Sequence, residues 1–106
     1  MDEYIQIYTT TDMIETAETI AKRLLDERLA ACVQIVGPIS STYWWQGKIE
    51  TSQEWLLIIK TKKGLYKQIE VTIKSLHHYH VPEIIAVPII EGSHAYLKWL
   101  KEEVKG

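Results

Sequence analysis

Apolar and polar residues alternate over residues 3–9, with Ile5 and Ile7 on one side and Tyr4, Gln6 and Tyr8 on the other. That period of two marks a strand with one buried face. The period then lengthens. Met13, Ala17, Ile20 and Leu24, flanked by Ile14, Ala21 and Leu25, fall on one stripe at helical spacing, which predicts a helix over 12–28. Asp12 and Glu15 have the spacing of a capping box, so Asp12 is expected to start it. Residues 29–36 are short, apolar and strand-like; Gly37-Pro38 interrupts them, and 39–45 continue extended. Gln46-Gly47 supplies a hairpin turn, and 48–61 return as a long strand buried at Trp55 to Ile59. After a break at Lys62-Lys63-Gly64, Leu65, Ile69, Ile73 and Leu76 recur every three or four residues. This predicts a second helix, although β-branched Val71, Thr72 and Ile73 favour strand by propensity. Residues 83–90 form another apolar strand, and Pro88, lacking an amide hydrogen, places it at an edge, a bulge or a strand end. Ser93 can cap a last helix carrying Tyr96, Leu97 and Leu100.

The order is β-α-β-β-α-β plus a C-terminal helix. It matches an α+β, ferredoxin-like split β-α-β sandwich, with two helices on one face of an antiparallel sheet. The other face is left uncovered. The central hairpin carries Tyr43, Trp44, Trp45 and Trp55, more aromatic surface than a solvated arm needs. Such surface marks association, so the hairpin and the open face are expected to be buried by further copies of the chain.

Composition narrows the class. The 106 residues suit a single domain, 1–106, with 46% hydrophobic and 25% charged residues. A net charge of −2 with interspersed signs gives no footprint for nucleic acid or an anionic membrane. No apolar run approaches the ~18–20 residues of a membrane span. Met1-Asp2-Glu3-Tyr4 lacks the basic start and apolar core of a secretory signal. One cysteine, Cys32, cannot form an internal disulfide, which points to the reducing cytoplasm.

Three of the four histidines, His77, His78 and His80, lie within four positions, between a helix pattern and a strand pattern. Imidazole suits copper, zinc and nickel. In an extended segment His78 and His80 project to one side and His77 to the other. Two ligands are too few for a closed site, so a carboxylate, a thiol or a neighbouring subunit must complete it. The competing reading gives His77 a capping role at a helix C-terminus and leaves His78 and His80 solvated. Cys32 either packs in an apolar strand or offers a soft thiolate to copper. Lys60 sits in an apolar strand, where a buried charge needs a partner; Glu50 or Glu83 of a polar pocket between subunits is expected to supply it. Ser75 precedes His77 without an acid to orient the imidazole, and the glycines are scattered singly, so neither a nucleophile nor a phosphate loop emerges.

Arg28-Leu29-Ala30-Ala31-Cys32-Val33, Tyr43-Trp44-Trp45-Gln46-Gly47-Lys48-Ile49-Glu50 and Leu57-Ile58-Ile59-Lys60-Thr61 resemble segments of the CutA divalent-cation-tolerance family. His77-His78-Tyr79-His80-Val81-Pro82-Glu83-Ile84-Ile85 is similar to its His-Pro-Tyr-Glu-Val-Pro-Glu-Ile segment, and Tyr96-Leu97-Lys98-Trp99-Leu100 to its closing Tyr-Leu-x-Trp pattern. The resemblance spans essentially the whole chain. It implies a tight homotrimer related in shape to the P-II signalling proteins, with hairpins extending neighbouring sheets. It further implies no catalysed reaction, and a role in tolerance of copper and other divalent ions through weak binding, with no cofactor needed for folding. Lys48, Glu50, Lys60 and Glu83 match charged positions of the family pattern, while Tyr43, Trp44, Trp45 and Trp99 are expected at interfaces or in packing. His78 and His80 replace the family's Pro and Glu. Tyr8 and Leu76 stand where copper-binding members can carry a thiol and a second histidine. Two other roles stay open: a trimeric effector-binding module of the P-II type, and a purely structural trimer.

Overall fold

Alternation at the N-terminus becomes strand β1 (Tyr4–Thr11), which lies inside a four-stranded antiparallel sheet. Its neighbours are β3 (Lys48–Lys62) and β4 (Ile84–Ile89), and β2 (Cys32–Trp45) lies beyond β3, giving the order β2-β3-β1-β4. The computed structural model describes residues 3–106. Met1 and Asp2, the start of the segment read above for a secretory signal, lie outside the described residues. Helix α1 (Ile14–Asp26) and helix α2 (Tyr66–Leu76) connect the strands, and helix α3 (His94–Glu103) follows β4. The expected α+β, ferredoxin-like plan is the observed one.

One face of the sheet and the two connecting helices make the core. Ile7, Leu57 and Ile59 from the strands meet Ile20 and Leu24 of α1 and Ile69 and Ile73 of α2, all fully buried. Each such side chain stabilises the fold by ~1.5–3 kcal/mol relative to exposure. Period beats propensity in α2: its β-branched Val71 faces solvent while Ile69 and Ile73 pack inward.

Three expectations shift. The capping box does not form: α1 begins at Ile14 after an extended Met13, and no side chain caps it. The cause lies in β1, where Thr10 and Thr11 still pair with Leu56 and Trp55 of β3, so Asp12 is spent on the bend. The apolar pieces at 29–36 and 39–45 join into one strand, β2, with an irregularity between Val36 and Ile39. Gly37 is required there, because a Cβ would sit 2.6 Å from Cδ1 of Trp55. Finally, the second sheet face is not wholly bare. Lys60 projects from it, opposite the core-facing Ile59 and Thr61, and its Nζ lies 5.6 Å from the Tyr96 ring centroid, so α3 covers that end.

The C-terminus is tied down by a corner no sequence pattern announces. Arg28 has a left-handed φ of 58°. Its amide donates to the Leu25 carbonyl and that of Leu29 to Leu24, the paired bonds of a Schellman ending. The Arg28 guanidinium then reaches Glu103 at 2.7 Å, and the Lys105 amide donates to the Arg28 carbonyl.

Past Trp55 the sheet narrows to two strands. Residues 48–54 pair only with β2, forming an arm ~23 Å long at 3.3 Å per residue. Gln46 and Gly47, both at positive φ (51° and 80°), close it as an I′-type turn. Ser93 caps α3 as expected, accepting the Tyr96 amide at 3.2 Å.

Candidate functional site

The segment after α2 is clamped to the sheet by one histidine and one tyrosine. His77 ends α2 in extended conformation, and its Nε2 lies 2.7 Å from the Thr10 carbonyl oxygen. The Tyr79 amide donates to His77 Nδ1 at 3.1 Å. An accepting Nδ1 leaves the proton on Nε2, so the ring donates to Thr10 as the neutral Nε2–H tautomer. Both nitrogens are thereby used, and His77 keeps no lone pair for a metal in this arrangement. The Tyr79 hydroxyl then donates to Glu54 Oε2 at 2.8 Å, and the two rings lie tilted with centroids 4.7 Å apart.

Glu54 is 6% exposed, at the point where the arm leaves the sheet. Burying a carboxylate there demands a donor, and Tyr79 supplies it. Burial first, and then the bond to Glu54, push the Tyr79 hydroxyl well above its ordinary range. Sequence reading missed both roles. Glu54 and Tyr79 are 25 residues apart, and only the register of β3 against β1 brings them together.

His78 and His80 are exposed on the bends of this segment. Cys32 is half-buried and pairs in register with Lys60, which is level with Gln6 of β1. Thr10, which holds His77, is four residues further along β1, ~13 Å at strand rise. The expected donors therefore do not converge within one chain. Among the described residues, no three of His, Cys, Asp or Glu gather to hold a metal ion.

A second patch lies at the opposite end of the sheet. Tyr96 and Trp99 of α3 stack obliquely, centroids 5.5 Å apart and both partly exposed, beside the half-buried Lys60. The Lys60 ammonium lies against the Tyr96 ring, and among the described residues no carboxylate is within ion-pair distance of it. Its expected partners are remote within the chain. Glu50 lies ten residues along β3, ~33 Å away, and Glu83 precedes β4 at the far end of the sheet. Lys48 and Glu50 sit on the arm together with Tyr43, Trp44 and Trp45; Trp44 is 73% exposed and Trp45 55%. Tyr43 anchors its own hydroxyl to Ser52 at 3.0 Å.

What the chain resembles is now unambiguous. The sequence model of the family described as CutA1 divalent ion tolerance protein matches residues 5–103. The divalent-cation tolerance protein CutA of Thermus thermophilus is 47% identical over 102 residues, covering 96% of this chain and 97% of that protein. The solved structure of the Thermus protein superposes with a TM-score of 0.92 at 46% identity, over 99% of this chain and all of that one. CutA1 from Oryza sativa gives 0.94 at 44% identity, over 97% of this chain and 94% of that one. A structure described as the periplasmic divalent cation tolerance protein CutA from Archaeoglobus fulgidus gives 0.93 at 43%, over 96% and 99%. No helix among the described residues is long and apolar enough to cross a membrane. The chain belongs to the CutA1 divalent ion tolerance family.

Proposed function

We propose that this chain acts as a non-enzymatic, cytoplasmic homotrimer in tolerance of divalent cations. The observation that carries the assembly is the arm. A two-stranded ribbon is marginal in water by itself, and this one holds Trp44, Trp45 and Ile49 more than half exposed. The arm points away from the Tyr96–Trp99 patch of its own chain, so only a second copy can bring the two together. In that pairing Glu50 of one copy meets Lys60 of another, and the arm aromatics lie on Tyr96 and Trp99. Each copy then gives and receives an arm, which closes a ring.

Sedimentation velocity tests the assembly: the wild type is expected to run as a trimer, and Glu50→Lys to weaken it. Lys60→Glu in the Glu50→Lys background should restore it, since the pair is reversed rather than lost. Monomeric wild type at micromolar concentration, or a double variant no better than the single, removes the pairing.

The same assembly binds divalent metal weakly. His78 and His80 are exposed, a closed site needs donors from more than one chain, and Cys32 is the remaining soft donor. Calorimetric titration with Cu²⁺ on wild type and the His78→Ala/His80→Ala variant is expected to show weak binding that the variant loses. Equal binding by both would take these histidines out of the site.

A further inference from the structure

One cleft of the molecule is used neither by the arm nor by the histidine segment. It measures about 1100 Å³ and lies between α3 and the end of the sheet where β1 begins and β4 stops. Its floor is apolar: Tyr4 and Ile89, neighbours in register, with Leu97 of α3 and the 88%-exposed Ile90 at the lip. Gly92 lets α3 close on this floor, since a Cβ there would come within 3.1 Å of Leu97. His94 and Lys98, one helical turn apart on α3, form the wall, with Lys101 one turn further on. Among the described lining residues Glu3 is the one carboxylate, and it is drawn to Lys63 at 3.6 Å. The wall is therefore cationic and the floor greasy. Tyr96 and Trp99 lie on the opposite side of α3, so an arm seated on them leaves the cleft open.

We infer that this cleft binds a free amphipathic carboxylate, its apolar tail on Tyr4, Ile89 and Leu97 and its head group at Lys98 and His94. Two features favour a free molecule over a membrane surface. The site is concave, with a volume just above the ~300–1,000 Å³ range of small-molecule pockets. The protein as a whole is anionic, with a net charge of −2, and Glu91, Glu102 and Glu103 flank the short cationic row. Pairing a charged head with an apolar tail also predicts selectivity by charge: the same tail with an ammonium head meets Lys98 unfavourably.

The test is calorimetric titration of the full-length protein, in its native assembly, with decanoate and with decylammonium. Decanoate is expected to bind saturably, one per chain, and decylammonium not to saturate. Lys98→Glu replaces attraction by repulsion and should weaken decanoate by about tenfold. Ile90→Glu, at an exposed position, should weaken it through the tail. Circular dichroism checks that both variants keep the fold. No saturable decanoate binding, equal binding of the two probes, or an unaffected Lys98→Glu would each overturn the inference. Flotation with phosphatidylglycerol vesicles without decanoate uptake would overturn it too, by assigning the basic row to a membrane.

Discussion

Strands β2 and β3 build two regions of opposite character from one hairpin. Below Trp55 they belong to a sheet whose side chains find partners in the same chain: Leu57 and Ile59 are fully buried under α1 and α2. Above it they form the arm, where Ile49 is 63% exposed and the tryptophans lie open. Backbone pairing continues in register through both regions, interrupted only at the bulge. What changes is the supply of covering groups. The body buries its large apolar side chains within its own chain, whereas the arm leaves Trp44, Trp45 and Ile49 exposed.

Substitutions separate the two regions most sharply in the body. Leu57→Ala removes a fully buried side chain and should cost about 2–5 kcal/mol in chemical denaturation. Trp44→Ala, much larger in volume deleted, should leave the unfolding free energy of a dissociated chain nearly unchanged and instead raise the concentration at which the assembly dissociates. If both variants lose similar stability at dissociating concentrations, the division between body and arm fails. Gly37→Ala strikes the joint between them. Its Cβ would press on the Trp55 ring, and overpacking of that kind costs about 1–3 kcal/mol, read as a lowered midpoint of thermal unfolding.

The clamp at the base of the arm responds to pH as well as to mutation. Tyr79→Phe leaves the buried Glu54 carboxylate without its donor and should cost about 1–2 kcal/mol near neutral pH. The sign of the pH effect follows from the raised Tyr79 value. In the unfolded chain tyrosine ionises near pH 10, while in the folded chain it stays protonated higher. Stability from this group is therefore complete below about pH 10 and is lost as pH rises beyond it, because the unfolded state releases the proton first. Tyr66, also raised by burial, adds to the same limb. Denaturation curves between pH 8 and 11 should fall for wild type and fall less for Tyr79→Phe. Parallel curves would show that the Tyr79–Glu54 bond does not persist in solution.

Local pattern carried the architecture because the core is built from local periods. The alternation of Ile5 and Ile7 and the helical spacing of Ile69 and Ile73 survive unchanged as buried faces. The start of α1 departs from the capping pattern because capping chemistry at Asp12 competes with two more residues of strand pairing, and pairing is a nonlocal contact. The same holds at the candidate site. His77 was legible as a helix-end residue, but its bond to Thr10 spans 67 residues. Glu54 looked like any charged residue of a long strand until the register buried it under Tyr79. Arg28 gave no sign of its left-handed turn, since that conformation usually falls to glycine or asparagine. The charges Lys48, Glu50, Lys60 and Glu83 stand apart within one chain because strand register spreads them along the sheet and the arm, and in the proposed assembly their partners come from other copies.

Threonine offers the finest version of the same contrast. In the body, the Thr9 and Thr11 hydroxyls are fully buried and find no partner among the described residues. In the arm, Thr42 and Thr51 face each other across the strands with their hydroxyls 3.0 Å apart. Replacing a buried, unpartnered hydroxyl by a methyl group of similar shape removes a desolvation cost, so Thr9→Val should be neutral or stabilise by up to about 1 kcal/mol. Thr51→Val breaks a cross-strand pair but exposes its remnants to water, so a loss of about 0.2–1 kcal/mol is expected. Opposite signs from one substitution, measured by denaturation of the same protein, would locate the boundary between body and arm at the level of single hydroxyls. A clear loss from Thr9→Val would mean that its hydroxyl holds a bound water, and that the end of β1 beside the histidine clamp is wetter than its packing suggests.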